Sequence, residues 1–264
     1  MHGWLPRLVL LAAACAPAGD ACAQGWGGAV GLASDNVERG YSLAEGRPAW
    51  LADLHYAADA GWVAGLAAGA ERPYGHSPGA RLVAYLDRHW RIDADWSAKA
   101  GLAHYDSPWS DERAWRRYDE INAALGFRGR WRASIAVSPN AAGYGGQAYA
   151  GGAPRTGWAA WAELTLHQPL GGPVAAELGV GRAHFARTDG ADYTYGNAGV
   201  SCVVGAAHVY VAHLWMRAEP RPHAPAGPWP WPYDGGAEPY AAAPAYHAAP
   251  ASKRRWVASL TWSW

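Results

Sequence analysis

From residue 24 onward the chain falls into short segments in which every second side chain is apolar and the alternate ones are polar or very small. Period two is the signature of an extended strand with two unlike faces, whereas a helix would scatter both sets around its circumference. The last segment is the clearest. Trp256, Ala258, Leu260, Trp262 and Trp264 fall on one side of it, and Arg255, Ser259, Thr261 and Ser263 on the other. Residues 117–128 oppose Ile121, Ala123, Leu125 and Phe127 to Tyr118, Glu120 and Asn122. Residues 156–168 oppose Trp158, Ala160, Ala162, Leu164 and Leu166 to Glu163, Thr165 and His167. Applied throughout, the test predicts strands at 26–35, 48–58, 61–71, 79–90, 94–105, 117–128, 130–138, 156–168, 173–186, 192–204, 206–217 and 253–264. The faces of 206–217 stay open, because His208 and Trp215 each fall on the wrong parity.

Most segments reach the roughly 9–11 residues with which a tilted strand crosses a bilayer. Their connections alternate in length. Short ones lie at Asp59-Ala60, Arg91 to Asp93, Gly129, Pro169 to Gly172 and Gly205; long ones lie at 36–47, 72–78, 106–116, 139–155, 187–191 and 218–252. Short turns at one end and longer loops at the other describe an up-and-down transmembrane barrel. The predicted fold is therefore all-β, an antiparallel transmembrane β-barrel of about twelve strands, with the long connections outside the cell. Tryptophan placement agrees with this. Trp26, Trp62, Trp90, Trp96, Trp131, Trp262 and Trp264 sit at the short-turn ends and Trp50, Trp158 and Trp256 at the long-loop ends, as amphipathic rings preferring the headgroup level would. A soluble β-sandwich with buried Trp is the competing architecture.

The N-terminus changes the picture by adding an address. Arg7 precedes the apolar stretch from Leu8 to Ala14, and Ala21-Cys22-Ala23 supplies a small-x-small cleavage site, so residues 1–23 are expected to be a signal peptide and 24–264 the mature barrel. A degenerate lipoprotein box ending at Cys15 is the alternative. With Cys15 and Cys22 removed, only Cys202 remains, and an internal disulfide is impossible. No later run reaches the ~18 apolar residues of a spanning helix. The 22 basic and 22 acidic residues balance, which excludes a net field for nucleic acid. Glu219 to Ser252 is rich in Pro, Ala, His, Tyr and Trp and cannot join a ladder, so 218–252 is expected to be a proline-rich external loop.

The first long connection reads Ser34-Asp35-Asn36-Val37-Glu38-Arg39-Gly40-Tyr41-Ser42, followed by Gly46-Arg47-Pro48-Ala49. This resembles the opening motif of the proteobacterial outer-membrane barrels of the TorF porin family, carried here by Ser34, Asp35, Arg39, Gly40, Ser42 and Pro48. Residues 48–70 are similar in character to the same family. The resemblance implies an outer-membrane barrel classed with porins by architecture, and says little about substrate. Leu260, Trp262 and Trp264 similarly resemble the C-terminal aromatic signal read by the barrel-assembly machinery, which is the expected partner during insertion.

Parity assigns Asp53, His55, Arg81, Tyr85, Asp87, Lys99, Glu120, Asn122, Arg130, Arg132, Glu163, Thr165, His167, Glu177, Tyr195 and Asn197 to the lumen. About twelve strands enclose a bore whose side chains decide whether water connects its ends. The expected function is a narrow channel for passive diffusion of small polar solutes, with outer-membrane lipid and lipopolysaccharide as surroundings and with no cofactor, metal or catalytic residue. A bore plugged by the same charges pairing across it is the opposing outcome. Glu163, His167 and Glu177 share a face and suggest a metal site or acid-base pair; without a nucleophile and its base, pore lining is the simpler account. A surface receptor or adhesion platform built on the external loops is the remaining class. Arg39 is read either as a rim contact to a lipopolysaccharide phosphate or as a loop-holding partner of Asp35 or Glu38.

Overall fold

The computed structural model describes residues 24–72, 78–109, 116–142, 156–186, 191–219 and 253–264. The expected signal peptide and almost all of the proline-rich connection lie outside the described residues, and with that connection His223 and His247, which its sequence offers as metal ligands or as plain solvated histidines.

The strands are β1 (Gly25–Ala33), β2 (Val37–Glu38), β3 (Tyr41–Ser42), β4 (Ala49–Ala57), β5 (Trp62–Glu71), β6 (Gly79–Arg91) and β7 (Trp96–Asp106). They continue as β8 (Tyr118–Phe127), β9 (Trp131–Ala141), β10 (Gly157–Gly171), β11 (Val174–Ala186), β12 (Tyr193–Val204), β13 (Ala207–Ala218) and β14 (Lys253–Ser263). All but β2 and β3 form a single closed barrel in which each strand pairs with its chain neighbours and β1 returns to β14. The seam runs from Ala29↔Ser263 to Ala33↔Ser259 and ends in a reciprocal backbone exchange between Gly28 and Trp264. A closed ladder leaves no edge with unpaired backbone groups, and one sheet closed on itself replaces the competing sandwich.

The two faces separate as the alternation predicts. Outside, Leu86 (β6), Leu102 (β7) and Ile121 (β8) stand side by side in the register and are exposed, Leu102 at 55%. Leu54, Leu66, Leu164, Leu178, Val200, Val211 and Leu260 continue the band around the wall. Monomeric soluble proteins keep contiguous apolar patches to a few hundred Å², so this girdle requires an apolar solvent. The Trp residues of both expected belts are exposed at their strand ends. Leu260 and Trp262 lie exposed on the outer face of β14 and Trp264 is exposed just beyond its end, and Cys202 is a free, half-buried thiol of β12.

The open parity of β13 is resolved by its neighbours. His208, Tyr210, Ala212, Leu214 and Met216 point inward and are buried, while Val209 and Val211 are exposed on the outer face that Trp215 shares. His208 pairs with Val203 on β12 and Thr261 on β14, so the inward parity of both flanking strands carries it into the lumen. The inward face itself turns from His208 and Tyr210 to the buried apolar Leu214 and Met216 along the strand.

The first long connection departs from expectation. It contains the β2–β3 hairpin, a separate two-stranded sheet, and it turns into the barrel. Asn36, Glu38, Arg39, Leu43 and Ala44 are all buried. Gly40 makes the reversal possible, since its φ of +79° lies in the left-handed region and a Cβ there would stand 2.5 Å from Cβ of Tyr195. A Gly40→Ala variant is therefore expected to lose about 1–2 kcal/mol to backbone strain, with a further loss from displacing the Tyr195 ring. Urea unfolding midpoints measured beside an Ala60→Gly turn control, which relieves a positive φ of 59°, would check this; an unchanged midpoint for Gly40→Ala contradicts the inserted hairpin.

Candidate functional site

The candidate site is the lumen, divided by the hairpin into two unlike halves. Towards the long-loop ends the inward side chains are aromatic. Tyr105 and Tyr118 stack with centroids 4.4 Å apart, and the series continues through Trp161, Phe185, Tyr193 and Tyr195 at separations of 5.8–6.1 Å. These residues surround the hairpin tip. Alternation finds them on the polar parity, Trp161 sharing a face with Glu163 and Phe185 with Glu177. Large aromatics on the water-side parity were the available sign that something other than water fills this level.

Three charged residues of the inserted segment meet the wall at three places. Arg39 Nη2 lies 2.6 Å from Glu120 Oε2 on β8, both side chains being nearly or fully out of water at 7% and 0% exposure. Its guanidinium also stands over the Trp161 ring, 4.2 Å from the centroid, a contact worth about 2 kcal/mol when desolvated. Burial opposes the Arg39 charge, but the carboxylates of Glu120 and Glu38 favour it, and its proton is held more firmly than in water. Glu38 pairs with Arg81 of β6 at 3.0 Å, and Arg81 also donates to the Tyr118 hydroxyl at 2.7 Å. Asp35 accepts from Arg255 of β14, from Ser42 Oγ at 2.8 Å and from the Gly46 amide at 3.2 Å. Ser34 Oγ accepts from the Ala258 amide at 3.0 Å. Of the six motif residues, Ser34, Asp35, Arg39, Gly40 and Ser42 hold the inserted segment, and Pro48 is exposed ahead of β4.

This arrangement corrects the expected role of Arg39. It lies in the bore rather than at the outer rim, and its partner is Glu120 rather than Asp35 or Glu38. Both expected loop partners are engaged by arginines of the wall.

Towards the short-turn ends the lining is mixed in charge, as parity predicted. Asp53 accepts from the Tyr85 hydroxyl at 2.8 Å and lies 2.6 Å from His55 Nδ1. Lys99 donates to Asp87 at 2.8 Å. Asn122, Thr165 and Asn197 are buried on the inward face, Asn197 donating to the Tyr210 hydroxyl at 2.7 Å, and Arg132 shares that face as the cross-strand partner of Thr165. Arg130 is the exception. It lies exposed in the turn between β8 and β9, because the strands end at Phe127 and Trp131 and leave it outside the ladder. It does not line the bore.

The suggested cluster of Glu163, His167 and Glu177 separates. His167 Nδ1 is 2.6 Å from Glu177 Oε1, which also accepts from Ser201 Oγ at 2.7 Å, whereas Glu163 accepts from the Tyr195 hydroxyl at 3.0 Å. Among the described residues no group of three His, Cys, Asp or Glu side chains is arranged to hold a metal ion.

No family model and no curated protein matches this sequence. Among solved structures the chain is similar to one from work on the in-meso crystallization of membrane proteins, with a TM-score of 0.50 and 9% identity over 91% of this chain and 83% of that one. At that identity the likeness concerns the fold alone: this is a membrane-protein-like β-barrel.

Proposed function

We propose that the chain is an outer-membrane, porin-like channel for passive diffusion of small polar solutes, with the β2–β3 hairpin as its constriction. The proposal includes export through the N-terminal signal peptide of a Gram-negative cell, insertion by the barrel-assembly machinery and kinship with the TorF porin family. Short turns then lie in the periplasm and long loops outside. The observation that carries it is the separateness of the constricting element. β2 and β3 pair with each other and not with the barrel sheet, so the hairpin is an insert joined to the wall chiefly by side-chain contacts and narrows the bore without belonging to its ladder. The mixed-charge lining below it suits hydrated solutes of either sign, and the reading assigns no catalytic step to any residue.

One observation favours a second reading, a non-conducting barrel serving as a surface or structural platform. Arg81 and Glu120 are 0% and 1% exposed, which describes a bore filled at that level. Planar-bilayer recording separates the two. The channel reading expects discrete conductance steps from the purified protein and larger steps from an Arg39→Ala variant. Absence of steps in both supports the platform.

A further inference from the structure

The outer face of β11–β14 changes character near the long-loop ends. Along β13 the outward side chains run Val209, Val211, His213, Trp215 and Arg217; along β14 they run Leu260, Ala258, Trp256 and Arg254; along β11 they run Leu178, Val180 and Arg182. Each series passes from hydrocarbon to arginine, and β13 and β14 place an aromatic between the two. The register brings the three arginines together. Arg182 and Arg217 both stand opposite Thr194 of β12, and Arg254 stands opposite Trp215, diagonal to Arg217. Diagonal neighbours in a sheet are roughly 7–8 Å apart, within reach of two long side chains. A half-open groove of about 490 Å³ lies here against His213, Trp215, Met216, Arg217 and Arg254.

Arg182 is neutralised by Glu219 at 2.9 Å. Arg217 and Arg254 have no carboxylate partner among the described residues, and the other acid nearby, Asp192, faces His184 at 2.6 Å. Two guanidinium groups with no carboxylate partner among the described residues, set above an apolar wall, suit an anion at headgroup depth. A phosphate fits, because guanidinium matches it with paired donors. Trp215 and Trp256 offer ring surface at the same depth, and Trp256 packs against His213 at 5.3 Å.

We infer that this face binds the phosphorylated headgroup of a lipid in the surrounding outer leaflet, with Arg217 and Arg254 clasping one phosphate and Trp215 and Trp256 bracketing the sugar or glycerol beside it. The inference rests on the outer-membrane reading but not on conduction. It also moves the expected lipid contact from Arg39 to the opposite side of the wall.

The test is native mass spectrometry of the full mature barrel from mixed nanodiscs containing a diphosphorylated acyl-glucosamine disaccharide or its dephosphorylated form. The wild type is expected to retain the phosphorylated lipid preferentially. Loss of a charge-assisted contact corresponds to about a tenfold weakening, so Arg217→Gln/Arg254→Gln is expected to lose that preference by about tenfold or more. Arg217→Lys/Arg254→Lys keeps the charge and recovers part of it, and Arg128→Gln at the short-turn end changes nothing. Equal retention of both lipids by the wild type, undiminished retention by the Gln pair, or displacement of the lipid by inorganic phosphate alone overturns the inference. If conductance is absent while lipid selectivity persists, the channel reading fails and this one stands; if the barrel does not enter bilayers, both fail.

Discussion

Replacing Arg39 by alanine is expected to destabilise the protein by about 3–5 kcal/mol, the cost of leaving one member of a buried ion pair uncompensated. Glu120 would keep its place 1% exposed inside the wall without the guanidinium 2.6 Å away, and Trp161 would lose the cation over its ring. The single variant does not by itself distinguish a lost pair from lost packing. Arg39→Met/Glu120→Leu does, because exchanging both charges for apolar groups of similar volume is often neutral or stabilising. Thermal or urea unfolding in detergent micelles should therefore show the double variant closer to wild type than either single one. If the losses simply add, the two residues are not coupled and the hairpin is not anchored there.

Leu102→Arg is expected to cost about 2–4 kcal/mol when the barrel unfolds from lipid vesicles, the penalty for a cation at the bilayer midplane on the lipid face. Leu102 lies in the middle of β7 between Leu86 and Ile121, so a guanidinium there is flanked by hydrocarbon on both neighbouring strands, and the nearest polar pair on that face, His104 and Asp119, stands one outward position nearer the long loops. The depth dependence is the sharper part. Leu170, exposed near the short-turn end of β10, should tolerate the same change at about 0–1 kcal/mol. On a water-facing surface both substitutions would stay within about 0.5 kcal/mol. Equal, small effects at both positions would remove the grounds for placing this girdle in a bilayer.

The wall was legible because its information is local. Whether Leu125 or Ala124 faces outward depends on the parity of β8 alone, and observed strands such as β6 (Gly79–Arg91) and β12 (Tyr193–Val204) lie within a residue or two of their predicted bounds. The charges of the lower lumen were legible for the same reason. Arg130 was misplaced because the parity was carried one residue past the strand into the turn.

The upper lumen was not legible. Arg39 and Glu120 are 81 residues apart and Asp35 and Arg255 are 220 apart, and each charge taken alone is as consistent with solvated loop or pore lining as with a buried pair. Aromatics on the inward parity gave a partial sign, but only the inserted hairpin explains why Tyr105, Tyr118 and Trp161 turn away from lipid.

By itself the sequence determined which side chains face out, where the strands turn, and that an even set of strands presents an apolar belt to its surroundings. Periodicity along an extended backbone is enough for that, since each residue's face follows from its immediate neighbours. Only the tertiary structure decided what fills the bore. Ring closure brings β6, β8 and β14 around one space, and the partners of Glu38, Arg39 and Asp35 exist as partners only after that closure has occurred.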